Sequence, residues 1–101
     1  DAAKAWFLGG PAPPPGTVAF QVPVTFELGG VVIQTTTPDI VARAHSEGFA
    51  WHEWFDSRDF DGPSSWRQLI DYCVDGIMTS RPVRLERTLR SHPAPARCAR
   101  R

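Results

Sequence analysis

Val18-Ala19-Phe20-Gln21-Val22-Pro23-Val24-Thr25-Phe26-Glu27-Leu28 sets Val18, Phe20, Val22, Val24, Phe26 and Leu28 at every second position, with Ala19, Gln21, Pro23, Thr25 and Glu27 between them. Side chains of a strand change face at each residue, so the run predicts one dry and one mostly wet face. Gly29-Gly30 follows, and two glycines supply the positive φ angles of a two-residue hairpin turn. In that register Leu28 faces Val31, Phe26 faces Ile33, Val24 faces Thr35 and Val22 faces Thr37, which keeps the apolar side chains together. Pro23 cannot donate to a ladder, which argues for an edge or a bulge at that point.

Thr37-Pro38-Asp39 then reads as N-cap, first-turn proline and first-turn acid, three agreeing signals for a helix start. Val41, Ala44, Gly48, Trp51 and Phe55 follow a three-and-four spacing, so the first helix is predicted to reach about Asp56, with Gly48 as its weak point. Ser65 and Gln68 have capping-box spacing, and Trp66, Leu69, Ile70, Cys73, Val74 and Ile77 form a second stripe, which predicts a helix over 65–78. After Arg81-Pro82, the alternation of Val83, Leu85 and Leu89 with Arg84, Glu86, Thr88 and Arg90 suggests a third strand, interrupted by Arg87. A short helix competes there, because Leu85 and Leu89 are also four apart.

The predicted architecture is therefore α+β: an antiparallel β-hairpin, with residues 83–90 as candidate third strand in the order β-β-α-α-β, packed on one face by two helices. Trp51, Trp54, Phe55, Trp66, Leu69, Ile70 and Ile77 are expected to meet the apolar side of the hairpin. Residues 1–16 read as an extended Pro/Gly-rich N-terminal arm, 17–90 as a single domain, and 91–101 as an irregular Arg-rich tail.

The formal net charge of zero hides an asymmetry, since residues 1–80 carry ten acids against four bases while residues 81–101 carry seven Arg against Glu86. A basic end on an acidic body favours an anionic partner, and the plainer readings are a tail folded onto its own body or Arg usage set by a GC-rich genome. No segment approaches the roughly 20 apolar residues that cross a bilayer. Cys73 and Cys98 are too few for a disulfide framework, and Cys73 falls in the apolar stripe of the second predicted helix, which favours a reducing intracellular compartment, cytoplasm or organelle matrix; a Cys73–Cys98 bridge stays open. Asp1 stands where a start Met would, which fits a processed mature form or part of something longer.

Candidate sites are few. Trp6, Phe7 and Leu8 form an apolar anchor on the arm, able either to dock on a partner or to cover an open end of the protein's own core. Arg84 and Arg90 would share the solvent face of the third strand, and Arg97, Arg100 and Arg101 would extend from it toward an anionic surface such as RNA. His45, His52 and Asp56 lie at helical spacings of seven and four and are weak metal candidates, since paired helical ligands usually stand four apart. Ser57, Asp59, Asp61 and Gly62 start a calcium-loop pattern that fails at Pro63 and Gln68. Cys73 with His45 or His52 offers a nucleophile pair, but a thiolate in an apolar stripe is costly. No phosphate-cradling loop is present.

The expectation for function is a non-catalytic protein-interaction protein that needs no cofactor, a small accessory or structural subunit of a larger assembly with protein partners. Two alternatives stand beside it: an RNA-binding protein that uses the Arg-rich tail, and a small mobile-element protein that inhibits or regulates a host protein through its acidic loop.

Overall fold

The computed structural model describes residues 2–55 and 60–100. The alternating stretch is extended as expected but does not form one strand. It divides at Val24 into β1 (Ala19–Pro23) and β2 (Thr25–Leu28). The division follows from Pro23, which has no amide to offer a continuing ladder. β2 pairs antiparallel with β3 (Val31–Gln34) through Phe26↔Ile33 and Leu28↔Val31, the anticipated register. Gly29 and Gly30 take φ of +58° and +82° at the turn, and the Thr35 amide donates to the Val24 carbonyl at 2.8 Å.

The hairpin is not the main sheet, and this overturns the predicted architecture. β1 leaves it to pair in parallel with β4 (Ala50–Trp54), which pairs in parallel with β5 (Gly76–Met78), so the core sheet has three all-parallel strands in the order β1-β4-β5. Val22 faces Glu53 across this sheet, not Thr37. Alternation cannot distinguish the two outcomes, because parallel and antiparallel ladders present the same period of two.

The described residues hold four α-helices where two were expected. α1 (Ala2–Phe7) replaces the start of the extended arm. α2 (Pro38–Ser46) begins as anticipated, with the Ile40 amide donating to the Thr37 hydroxyl at 3.3 Å, but stops ten residues short of Asp56. Gly48 sits at φ +87°, the Phe49 amide donates to the Ala44 carbonyl and the Gly48 amide to the His45 carbonyl, which together make a Schellman ending. Trp51 and Trp54 therefore lie on a strand.

α3 (Pro63–Asp71) starts from Gly62, with no use of the Ser65–Gln68 capping box, and ends in the same way. Cys73 takes φ +68° and the Val74 amide donates to the Leu69 carbonyl, so Ile77 belongs to β5. Residues 83–90 form α4 (Pro82–Ser91), the competing helical reading, in place of a third antiparallel strand. The C-terminal segment is not irregular throughout, since Ala96–Arg100 form a 3-10 turn. A Cys73–Cys98 disulfide pins that turn to the end of α3.

Phe20, Val22, Trp51 and Glu53 point to the front of the sheet and are buried, and Ile77 shares that face through its pairing with Glu53. Trp6 of α1 and Val41 and Ala44 of α2 complete a core cluster with Phe20, Val22 and Trp51. Ile70 of α3 and Leu85 of α4 border the same small cavity as Ile77. α1 and α2 thus pack on the front, and Tyr72, Cys73 and Val74 at the end of α3 pack against the same cluster.

Candidate functional site

Alternate residues of the same strands form the rear face: Gln21 and Pro23 on β1, His52 and Trp54 on β4, Gly76 and Met78 on β5. The parallel register aligns them in two rows, Gln21-His52-Gly76 and Pro23-Trp54-Met78. Gln21 is exposed, Trp54 is 37% exposed and Met78 44%. Gly76 leaves room for the His52 ring, because a Cβ there would stand 3.1 Å from its Cδ2. The second row lies at the C-terminal end of the strands, the edge where parallel α/β proteins place their sites.

Two buried carboxylates hold that edge together. Asp61 accepts from the Trp66 indole at 2.9 Å, the Thr79 hydroxyl at 2.6 Å, and the Ser80 amide and hydroxyl at 2.9 Å each. Its carbonyl accepts from the Arg81 guanidinium at 2.7 Å. Burial pushes the Asp61 carboxyl up, but these donors outweigh it and hold its pKa below the ordinary value. Asp61 therefore ties the loop before α3 to the loop before α4.

Glu53 accepts from the Thr36 hydroxyl, which itself accepts from the Trp51 indole at 3.2 Å. Glu53 has no exposed surface, and its Oε2 and the Thr35 Oγ1 have no hydrogen-bond partner. Desolvation dominates the donations from Thr36 and Trp51 and raises its pKa from 4.5 to about 7. Its role is to bind the return from the hairpin to the middle of the sheet.

The expected site residues disperse. Trp6 is consumed in the protein's own core: its indole donates to Glu47 at 2.9 Å, the Arg43 guanidinium lies 3.8 Å from its ring centroid, and only 1% of it is exposed. The donations from Trp6 and Arg43 lower the Glu47 pKa. Phe7 packs half-buried against the core while Leu8 is 54% exposed. Arg84 and Arg90 are exposed on α4, with Arg90 paired to Glu86 at 2.6 Å. Arg97 donates to the Asp71 carbonyl at 2.7 Å; the Arg100 side chain and Arg101 lie outside the described residues.

His45 and His52 stand on different elements, since the helix expected to carry both ends between them. His45 Nε2 lies 2.7 Å from Asp75, and Asp75 also accepts from the Trp51 amide at 2.7 Å. Asp56, like Ser57 and Asp59 of the acidic loop over residues 56–63, lies outside the described residues. Among the described residues no group of three or more His, Cys, Asp or Glu could hold a metal ion, and no helix is long and apolar enough to cross a membrane.

Sequence reasoning missed the rear face because Trp54 and Met78 belong to segments read as helix, where their spacing carries no joint meaning. No family model matches the chain, and no curated protein is detectably similar to it in sequence.

Proposed function

We propose that this chain is a protein-interaction unit of a larger assembly, held through the rear face of its parallel sheet against further strand–helix polypeptide. The observation that carries the reading is the one-sided sheet: α1, α2 and the end of α3 pack on the front while Gln21, Trp54 and Met78 stand exposed behind. All-parallel sheets ordinarily have both faces covered. Strands that neighbour one another in chain order, with their helices on one side, follow the winding of a closed parallel barrel, in which the rear face becomes the interior. A large indole, a thioether and an amide suit a buried contact better than lasting exposure.

Site-resolved photo-cross-linking in the native cell tests this. A benzophenone side chain at position 54 or 78 is expected to join the chain to one discrete polypeptide, and the same group at position 84 is expected to give little product. Cross-links from position 84 alone, with none from 54 or 78, overturn the reading.

A second reading rests on α4, where Arg84 and Arg87 are exposed with no carboxylate partner among the described residues. It assigns that helix to the phosphates of RNA, and binding to single-stranded RNA that weakens with salt and with Arg84→Gln and Arg87→Gln is its signature.

A further inference from the structure

Away from the rear face, α2, the end of α3 and the 3-10 turn line an open cleft of about 490 Å³, within the size range of small-molecule sites. Pro38 and Ala42, the Tyr72 ring and the Cys73–Cys98 disulfide supply an apolar wall. The charged groups around it are largely spoken for. Asp71 is engaged by His92 at 2.8 Å, and His45, whose side chain is 8% exposed, is engaged by Asp75 at 2.7 Å.

Arg97 is the exception. One of its nitrogens donates to the Asp71 main-chain carbonyl at 2.7 Å, which fixes the guanidinium at the cleft. No carboxylate pairs with it among the described residues. A guanidinium offers five N–H donors in a planar fork, so four remain for a ligand.

We propose that this cleft binds a small amphiphilic carboxylate, its apolar body against Tyr72, Ala42 and the disulfide and its carboxylate on Arg97. The guanidinium fork selects a carboxylate, which it can bind through two parallel hydrogen bonds, whereas a phosphate dianion would bring a second negative charge beside Asp71. A cationic ligand would meet the Arg97 guanidinium.

Calorimetric titration of the intact chain with decanoate, with decanol as the uncharged counterpart, tests the proposal. Decanoate is expected to bind about tenfold more tightly than decanol, the worth of one charge-assisted hydrogen bond. Arg97→Gln is expected to remove that preference and leave decanol binding as it was. Ala42→Trp, on the exposed side of α2, is expected to fill the cleft and abolish binding of both without lowering the unfolding temperature. Equal affinity for the two probes, or unchanged binding by Ala42→Trp, overturns the proposal. So does an amide-shift map that places decanoate at Trp54 and Met78 in place of Tyr72 and Arg97.

Discussion

The two faces of the parallel sheet are built from alternate residues of the same strands, yet they do opposite work. On the front, Phe20 packs 4.7 Å from Trp6, 5.0 Å from the half-buried Phe49 and 5.9 Å from Trp51 by ring centroid, and Phe20, Trp6 and Trp51 barely meet water. Behind, Trp54 and Met78 retain 37% and 44% of their exposure. In a chain of 101 residues the core is thin, so stability concentrates in a few aromatic side chains on one face. The difference teaches that the front carries most of the folding duty while the rear keeps large side chains partly open to water.

The sharpest break of the comparison is Trp51→Ala. It empties the centre of the front, removes ring contacts with Trp6 and Phe20, and leaves the Thr36 hydroxyl without its indole donor. A cost of about 4 kcal/mol is expected from such a deletion, read as a fall in the urea midpoint. A loss below about 1 kcal/mol would show that the front is not what holds the fold.

Loss of the Cys73–Cys98 disulfide comes next. It closes a loop with a sequence separation of 25, and constraint of the unfolded chain by a loop of that size is worth about 3 kcal/mol. Urea unfolding with and without a dithiol reductant measures it. Hydrogen exchange should rise first over residues 92–100, with the amides of β1 and β4 still protected. Equal loss of protection at both places would mean that the tail and the front form one cooperative unit.

How much of this was legible depends on how local each signal is. The turn and the register next to it were readable, because Gly29-Gly30 and the flanking alternation lie within a few positions of one another, but the expected hairpin overran its true length at Val22. The start of α2 was readable for the same reason, in Thr37-Pro38-Asp39. The partner of Phe20 and Val22 was not, since β4 lies some thirty residues on and nothing within Val18–Leu28 states whether its ladder is parallel. Ala50–Trp54 reads as helix in the sequence because Val41, Ala44, Gly48, Trp51 and Phe55 fit a helical spacing. Gly48 marked the true end of α2. Cys73 gave no such mark, as a non-glycine residue at φ +68° has no sequence signature. The rear face was illegible altogether, because its rows exist only once three distant segments are in register.

Glu53 tests the one place where the front departs from apolar packing. Its pKa is raised in the folded protein to about 7 from 4.5, so the native state holds a proton that the unfolded state releases between those values. Stability from this group is therefore full at low pH, falls as pH rises through that window and levels off above it. The shift corresponds to a difference of about 3 kcal/mol at most, since each unit is worth roughly 1.4 kcal/mol. Glu53→Gln is expected to flatten the dependence and to raise stability at pH 8 by about 2 kcal/mol, read from urea midpoints at pH 5 and pH 8. Asp61 and Glu47 do not confuse the test, because their lowered pKa values place their contribution at more acidic pH, with the opposite slope. A slope that survives in the Gln variant would assign the dependence elsewhere.

The smallest effect on folding is the most telling for the rear. Trp54→Ser removes a side chain that is already 37% exposed and stands beside Pro23 and Met78 in the parallel register. The isolated chain should lose about 1 kcal/mol, since roughly two-thirds of the side chain is covered, well below the cost at Trp51. Acrylamide quenching separates exposed from buried indoles: Trp6, Trp51 and Trp66 are sealed, so the accessible fraction of the fluorescence should disappear with Trp54. Addition of whatever polypeptide position 54 cross-links should remove that accessible fraction from the wild-type chain and do nothing to the variant. If Trp54→Ser unfolds the chain as Trp51→Ala does, the rear face belongs to the core and the contrast between the faces fails. If quenching of the wild type persists in the bound state, the face stays open to water and recognition lies on another surface.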